Sequence, residues 1–276
     1  MTMVLAIVVA VLVLMAKYLY LWRPNDSSGF YPVKPFYMAH RGVRTRAPEN
    51  TISAYSAALE AGLKGTELDV METKDGQLIC SHNFDLERIT DGRGYIFEQT
   101  YSELQQINAG HRFPGASTDR IPLLTDVLNF FPAEFRVNIE VKSRSLIDIF
   151  TTLKVARLVK IMDLQGRVIV SSFNPVALIA VKWVDNAILT GFLVGPDTWP
   201  LMRFINLAHP DYLHPEAGLV TEDLLRFARQ RGLAVNVWTV NSQPAIDWIV
   251  KKDVEGIITD RPEYCPPHSE LGIGRG

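Results

Sequence analysis

From Phe36 onward, short β-rich apolar runs alternate with helical patterns, and the alternation continues to Asp260. The runs are FYMAH (36–40), GTELDVMET (65–73), QLICSH (77–82), FRVNIEVK (135–142), RVIVSSF (167–173), AILTGFLV (187–194), DYLHP (211–215), LAVNVWTV (233–240) and GIITD (256–260). Helices are expected near Thr51–Ala61, Leu123–Phe130, Ile147–Met162, Pro175–Trp183, Thr221–Gln230 and Gln243–Lys251. Eight or nine strands over roughly 230 residues match the size and rhythm of a TIM (β/α)8 barrel, with a doubly wound open sheet as the alternative. Asn83 to Ile121 breaks the rhythm: it holds one short helical stretch, TYSELQQI, among Gly-, Asp- and Pro-containing loops, and reads as an insertion capping one end of the barrel.

Residues 2–22, TMVLAIVVAVLVLMAKYLYLW, carry a single charge, Lys17, and reach roughly the 20 residues that span a bilayer. Tyr18, Tyr20 and Trp22 supply an interfacial belt. No Lys or Arg precedes the run and no A-x-A-like site follows it, so a membrane anchor is preferred to a cleaved signal. The expected layout is an anchor at 1–23, a Pro/Ser/Gly-rich linker at 24–35 outside the core, the barrel at 36–268 and a tail at 269–276. Lys17, Arg23 and Lys34 are expected to place the folded domain of this single-pass protein on the cytoplasmic side. Cys80 and Cys265 form neither a metal spacing nor a disulfide framework, in keeping with a reducing compartment.

A net charge of −2 gives no bulk attraction to nucleic acid. Affinity for anions must then come from local clusters such as HRGVRTR at 40–46, which is too short for a nucleic-acid surface. In GTELDVMET, Glu67 and Asp69 lie two apart and share one face of a strand. In FRVNIEVK, Asn138, Glu140 and Lys142 form a polar row opposite Val137, Ile139 and Val141. If both rows face the barrel interior, Glu67, Asp69 and Glu140 form an all-oxygen set suited to Mg2+ or Ca2+, with Lys142 as a fixed positive charge for phosphate. His40 and His82 each end a strand candidate, and the carboxyl ends of barrel strands are where reacting groups gather. Two imidazoles there can take a proton from one oxygen and give one to another. Trp238 could wall the pocket or belong to the core, and His214 could reach its rim. His111, His209 and His268 are expected at the surface.

HRG followed by PENT, ELDV, TKDG, SHN, IPLLTDVL, NIEVK, VWTVN and EGIITDRP resembles the glycerophosphodiester phosphodiesterase family from about Phe36 to Pro262. The resemblance implies a TIM barrel with an insertion after the second histidine and a divalent cation, Mg2+ or Ca2+ among those used. It implies His40 and His82 as the acid/base pair and Glu67, Asp69 and Glu140 as metal ligands. Arg41 and Lys142 would hold the phosphate, Gly42 would admit it close to the backbone, and Trp238 would contact the organic part of the substrate. One position departs from the family, which has aspartate after the second histidine where this chain has Asn83. Asparagine keeps the hydrogen-bonding oxygen but lacks the charge.

The implied reaction is hydrolysis of a phospholipid-derived diester. The anchor points to the membrane-anchored, lysophospholipase D-like branch, which makes lysophosphatidic acid and a head-group alcohol; local concentration favours a tethered site for a substrate that lives in the bilayer. Cleavage of soluble deacylated diesters and a catalytically silent, head-group-binding membrane protein are the alternatives. Neither a nucleic-acid partner nor an obligate protein partner is expected. Arg44 and Arg46 are left as a rim that meets anionic lipid.

Overall fold

Parallel strands rich in Val and Ile must be covered on both faces, and the computed structural model, which describes residues 2–115 and 118–266, does this by closing the sheet on itself. The elements are α1 (Thr2–Tyr20), β1 (Phe36–His40), α2 (Ile52–Glu60), β2 (Gly65–Glu72), β3 (Leu78–Cys80), α3 (Tyr101–Leu104), α4 (Leu124–Phe130), β4 (Arg136–Val141) and α5 (Phe150–Ile161). They continue with β5 (Val168–Ser172), α6 (Pro175–Val184), β6 (Leu189–Val194), α7 (Ile205–Ala208), β7 (Tyr212–Pro215), α8 (Glu222–Arg231), β8 (Ala234–Val237), α9 (Gln243–Val250) and β9 (Gly256–Thr259). The strands pair in the order β1-β9-β8-β7-β6-β5-β4-β2, and β1 pairs with β2 to complete the ring. The barrel reading therefore holds and the open sheet does not.

Outward side chains such as Val137, Ile139, Val168 and Val170 pack beneath the helices. Inward ones sort by height. Phe36, Met38, Ile169, Leu189 and Tyr212 fill the floor, and the next inward positions turn polar toward the carboxyl ends. On β2 and β4 the register sets Glu67 beside Asn138 and Asp69 beside Glu140, so the two polar rows do share the interior.

QLICSH is not a barrel strand. β3 runs antiparallel to β2, with Val70 opposite Cys80 and Glu72 opposite Leu78, and so forms a hairpin standing above the rim. The segment after it builds a lobe with its own small core of Met71, Ile79, Leu86, Ile96, Leu104 and Ile121.

Residues 24–35 are not a free linker. Phe30 and Tyr31 are buried in the floor layer; the Tyr31 ring stacks on Phe36 at 4.6 Å, and its hydroxyl accepts from Asn236 Nδ2 at 2.8 Å. The Pro/Ser/Gly content of this stretch suggested solvent, but two aromatics outweigh it by closing the barrel from below.

α1 is exposed along its length, and among the described residues it is the one helix long and apolar enough to cross a membrane. It joins the barrel at the floor: the Tyr18 hydroxyl donates to Leu207 O at 3.2 Å, and Trp22 stacks on His209 at 4.9 Å. His209, expected at the surface, is thus partly covered by the aromatic end of α1. His268 and the tail lie outside the described residues.

Gly42 has φ +74°, and a Cβ there would come within 2.6 Å of the Ala54 backbone. Packing against α2 by itself requires a glycine at this position. Gly42→Ala should cost about 2–4 kcal/mol through overpacking and left-handed strain, seen as a lower denaturant midpoint with an unchanged slope.

Candidate active site

The carboxyl ends of β1, β2, β4 and β9 bring seven functional side chains together. His40 closes β1, and its Nδ1 lies 2.8 Å from Asp260 Oδ1, just past β9. Its Nε2 lies 3.9 Å from Glu67 Oε2. Glu67, Asp69 and Glu140 are all buried and offer oxygens within 4.8 Å of one another. Arg41 follows His40 with φ +57°, a left-handed conformation held by its N–H donating to Glu67 O at 3.0 Å. This turn carries the Arg41 guanidinium to Asp69 Oδ2 (Nε at 3.1 Å) and Glu49 Oε1 (Nη1 at 3.0 Å). Lys142 Nζ meets Asp69 Oδ1 at 2.8 Å and is also paired with Glu140.

Three buried carboxylates held by two cations titrate unequally. Burial, with Asp69 and then Glu140 nearby, pushes the Glu67 carboxyl well above the usual range. Burial also leaves Glu140 raised, although Lys142 opposes it. Burial would lift Asp69 as well, but Lys142, Arg41 and His82 outweigh it and hold that carboxyl below the usual range. Lys142 is desolvated too, yet Asp69 and Glu140 keep it firmly charged.

His82 reaches the site by a different route from the one its strand-end position suggested. The β2–β3 hairpin folds back so that Ser81 N donates to Asp69 O at 3.1 Å, which sets the next residue over the cluster. Its Nδ1 lies 3.1 Å from Asn83 Oδ1, the natural assignment being N–H donated to the amide oxygen. Burial pushes the ring down to about 4 against the pull of Asp69.

Trp238 stands at the edge of the same rim. Its indole N–H donates to His214 O at 2.7 Å, and Phe173 meets it edge-on at 5.6 Å. His214 itself does not reach the rim: it is fully buried inside the barrel, where its Nε2 faces Asn236 Nδ2 at 3.0 Å. Its inward direction on β7 follows the strand alternation, and burial pushes it down to about 3, a neutral core histidine. His111 is exposed on the insertion.

Two residues at the site were not assigned from the sequence. Asp260, which orients His40, stands at the end of GIITD, and the strand-end argument that singled out His40 applies equally to it. Asn50 precedes Thr51, the N-cap of α2, and nothing in its local sequence shows its role. Buried Asn50 donates to Asp69 Oδ2 at 2.9 Å, and its oxygen accepts from Asp69 N at 3.1 Å and from the Tyr55 hydroxyl at 3.1 Å. Arg44, left without a role, lies 3.5 Å from Glu49 and 3.7 Å from Asp260, whereas Arg46 is exposed.

A closed (β/α)8 barrel whose rim gathers two histidines, a buried carboxylate cluster and two cations has the build of a barrel enzyme acting on an anionic ester. Residues 40–264 match the glycerophosphoryl diester phosphodiesterase family, and the chain belongs to it. Over 238 residues it is 34% identical to a glycerophosphodiester phosphodiesterase of Caldanaerobacter subterraneus subsp. tengcongensis, covering 84% of this chain and 96% of that protein. An Oleispira antarctica phosphodiesterase solved with its product sn-glycerol-3-phosphate superposes with a TM-score of 0.75 at 26% identity, over 83% of this chain and 94% of that one. A Thermotoga maritima glycerophosphodiester phosphodiesterase superposes with a TM-score of 0.66 at 27% identity, over 84% and 97%.

Proposed function

We propose that the chain hydrolyses glycerophosphodiesters, with lysophospholipids as the preferred class, releasing lysophosphatidic acid and the head-group alcohol. The observation that carries the reading is the His40–Asp260 pair set against the Glu67/Asp69/Glu140 cluster at one barrel rim. Glu67 Oε1 is buried without a hydrogen-bond partner, which suits a ligand atom, and an all-carboxylate set selects a hard cation. Glu67, Asp69 and Glu140 would hold it. Bound there, Mg2+ or Ca2+ would draw negative charge away from the phosphate.

Asp260 fixes the orientation and tautomer of His40 and offers a counter-charge when that ring takes up a proton. His40 is therefore assigned as the base: its Nε2 takes the proton from the attacking oxygen, either water or the glycerol 2-hydroxyl. His82 gives a proton to the departing alcohol oxygen. Arg41 and Lys142 turn from the carboxylates toward the phosphate oxygens and stabilise charge that grows there. Trp238 lies against the organic part of the substrate.

The lysophospholipid preference is supported by a groove of about 310 Å³ that starts at Glu140 and Lys142 and is walled by Leu146, Phe173 and Leu201. A second support is α1, which as a bilayer span would keep the site beside its substrate. The deciding measurement compares release of head group from lysophosphatidylcholine, lysophosphatidylethanolamine and glycerophosphocholine. Failure to cleave any of them overturns the reading, and cleavage of glycerophosphocholine alone overturns the lysophospholipid preference.

An acid that burial holds down to about 4 is scarcely protonated at neutral pH, and the uncharged Asn83 amide raises it only slightly, which limits His82 in its assigned role. Asn83→Asp places a carboxylate on Nδ1 and favours the imidazolium. The proton-donating form then persists to higher pH, and kcat at pH 7 should rise by about tenfold for each unit the pKa is raised. A pH–rate profile checks this; a lower kcat at pH 7 would mean that His82 is the base.

A further inference from the structure

Outside α1 and Leu21, exposed large apolar side chains gather on one flank of the barrel. Apart from Tyr95, Phe130 and Trp248, they stand on α5, α6, α7 and the loops leading into α5 and α7, elements that pack on one another in sequence and end against α1. On α5, Phe150 and Ile161 are eleven residues apart, three full turns, and so share a face; on α6, Val176 and Trp183 share a face two turns apart. Exposure reaches 81% at Ile161, 80% at Trp183 and 86% at Ile147. In a (β/α)8 barrel each helix begins at the catalytic rim and ends at the floor. The apolar flank thus runs from Ile147 and Phe150 at the rim, beside the mouth of the Leu146/Leu201 groove, down to Ile161, Trp183 and Leu207 at the floor, beside the Tyr18 attachment of α1.

The exposed charge on the two long helices is basic. Arg157 and Lys160 stand exposed on α5, Lys154 and Lys182 are paired with Glu72 and Asp211, and neither helix contains an acidic residue, although the whole chain is net negative. Exposed tryptophan and isoleucine interleaved with lysine and arginine are the composition of a surface that beds into the head-group region of an anionic membrane.

We infer that the α5–α6–α7 flank is a lipid-docking face. The barrel lies on its side on the bilayer entered by α1, with its long flank rather than its floor in contact, so that the groove at Lys142 opens at the level of the head groups. This rests on the reading of α1 as a membrane span. It makes the barrel an interfacial enzyme, whose catalytic rim is held at the lipid surface although the anchor is joined to the opposite end.

The test uses the full chain, with Cys265→Ser, reconstituted into phosphatidylcholine/phosphatidylglycerol vesicles. An environment-sensitive fluorophore is placed in turn on Ile147→Cys, Ile161→Cys, Trp183→Cys and Trp248→Cys, the last on α9 across the barrel. Brominated lipid should quench the first three at least about threefold more than the position on α9. Quenching at 161 and 183 but not at 147 would overturn the proposal, because the barrel would then stand on its floor. Equal quenching at all four positions, or shielding of the flank by a second protein copy in detergent without lipid, would overturn it as well. As a second readout, Ile161→Ser with Trp183→Ser should raise KM for vesicle-borne lysophosphatidylcholine about fivefold or more and leave glycerophosphocholine turnover unchanged. If lipid quenching is seen but no lysophospholipid is cleaved, the docking face stands and the substrate reading falls.

Discussion

His40→Ala should lower kcat/KM for the diester by about a thousandfold, within the range that proton transfer by a positioned side chain contributes. The expected loss is large because, among the described residues, His40 is the one ring at the rim held by a carboxylate, with Asp260 at 2.8 Å. The ring is partly exposed, so its truncation should leave the thermal midpoint near that of the wild type. Asp260→Asn provides the internal control. It keeps a hydrogen-bonding oxygen but removes the counter-charge, and should lose about ten- to a hundredfold, mostly in kcat with little change in KM. Wild-type turnover in the His40→Ala protein, measured by head-group release, would remove His40 from the reaction.

The second large effect concerns the acidic cluster. Treatment with a chelator should reduce turnover to background, and adding back Mg2+ or Ca2+ should restore it. Glu67→Gln should weaken cation binding by about a hundredfold or more, since it removes a charged ligand and leaves the shape intact. Binding can be read without activity: at a cation concentration of 100 times the wild-type Kd the wild type should gain about 2.7 kcal/mol of stability, and Glu67→Gln about 0.4 kcal/mol or less. A cluster serving only as ion-pair partner to Arg41 and Lys142 predicts no cation-dependent shift in either protein.

Much of this site was legible because barrel geometry converts sequence spacing into direction. The two-residue period of GTELDVMET and FRVNIEVK fixed which side chains faced inward, and the parallel register then brought Asp69 level with Glu140. His82 does lie over the cluster, but not by way of a barrel strand as its position suggested. No local pattern shows that QLICSH pairs antiparallel, because a short apolar run looks the same in a barrel strand and in a hairpin arm. Asp260 and Asn50 were passed over because their work lies in partners distant in sequence. Asp260 is 220 residues from the ring it holds. Phe30 and Tyr31 were misjudged for a related reason: composition identified a linker, whereas burial depended on a floor built from strands not yet paired.

The ring closes where β1 meets β9, the first and last strands of the barrel, and His40 and Asp260 face each other across that seam. Every carboxylate of the cluster is in place by residue 140, but the carboxylate that orients His40 comes only at residue 260, beside the last strand to join the ring. A fragment without β9 would keep the acidic residues and leave His40 unheld. On the proposed assignment of His40, closing the barrel and arming the site are therefore one event.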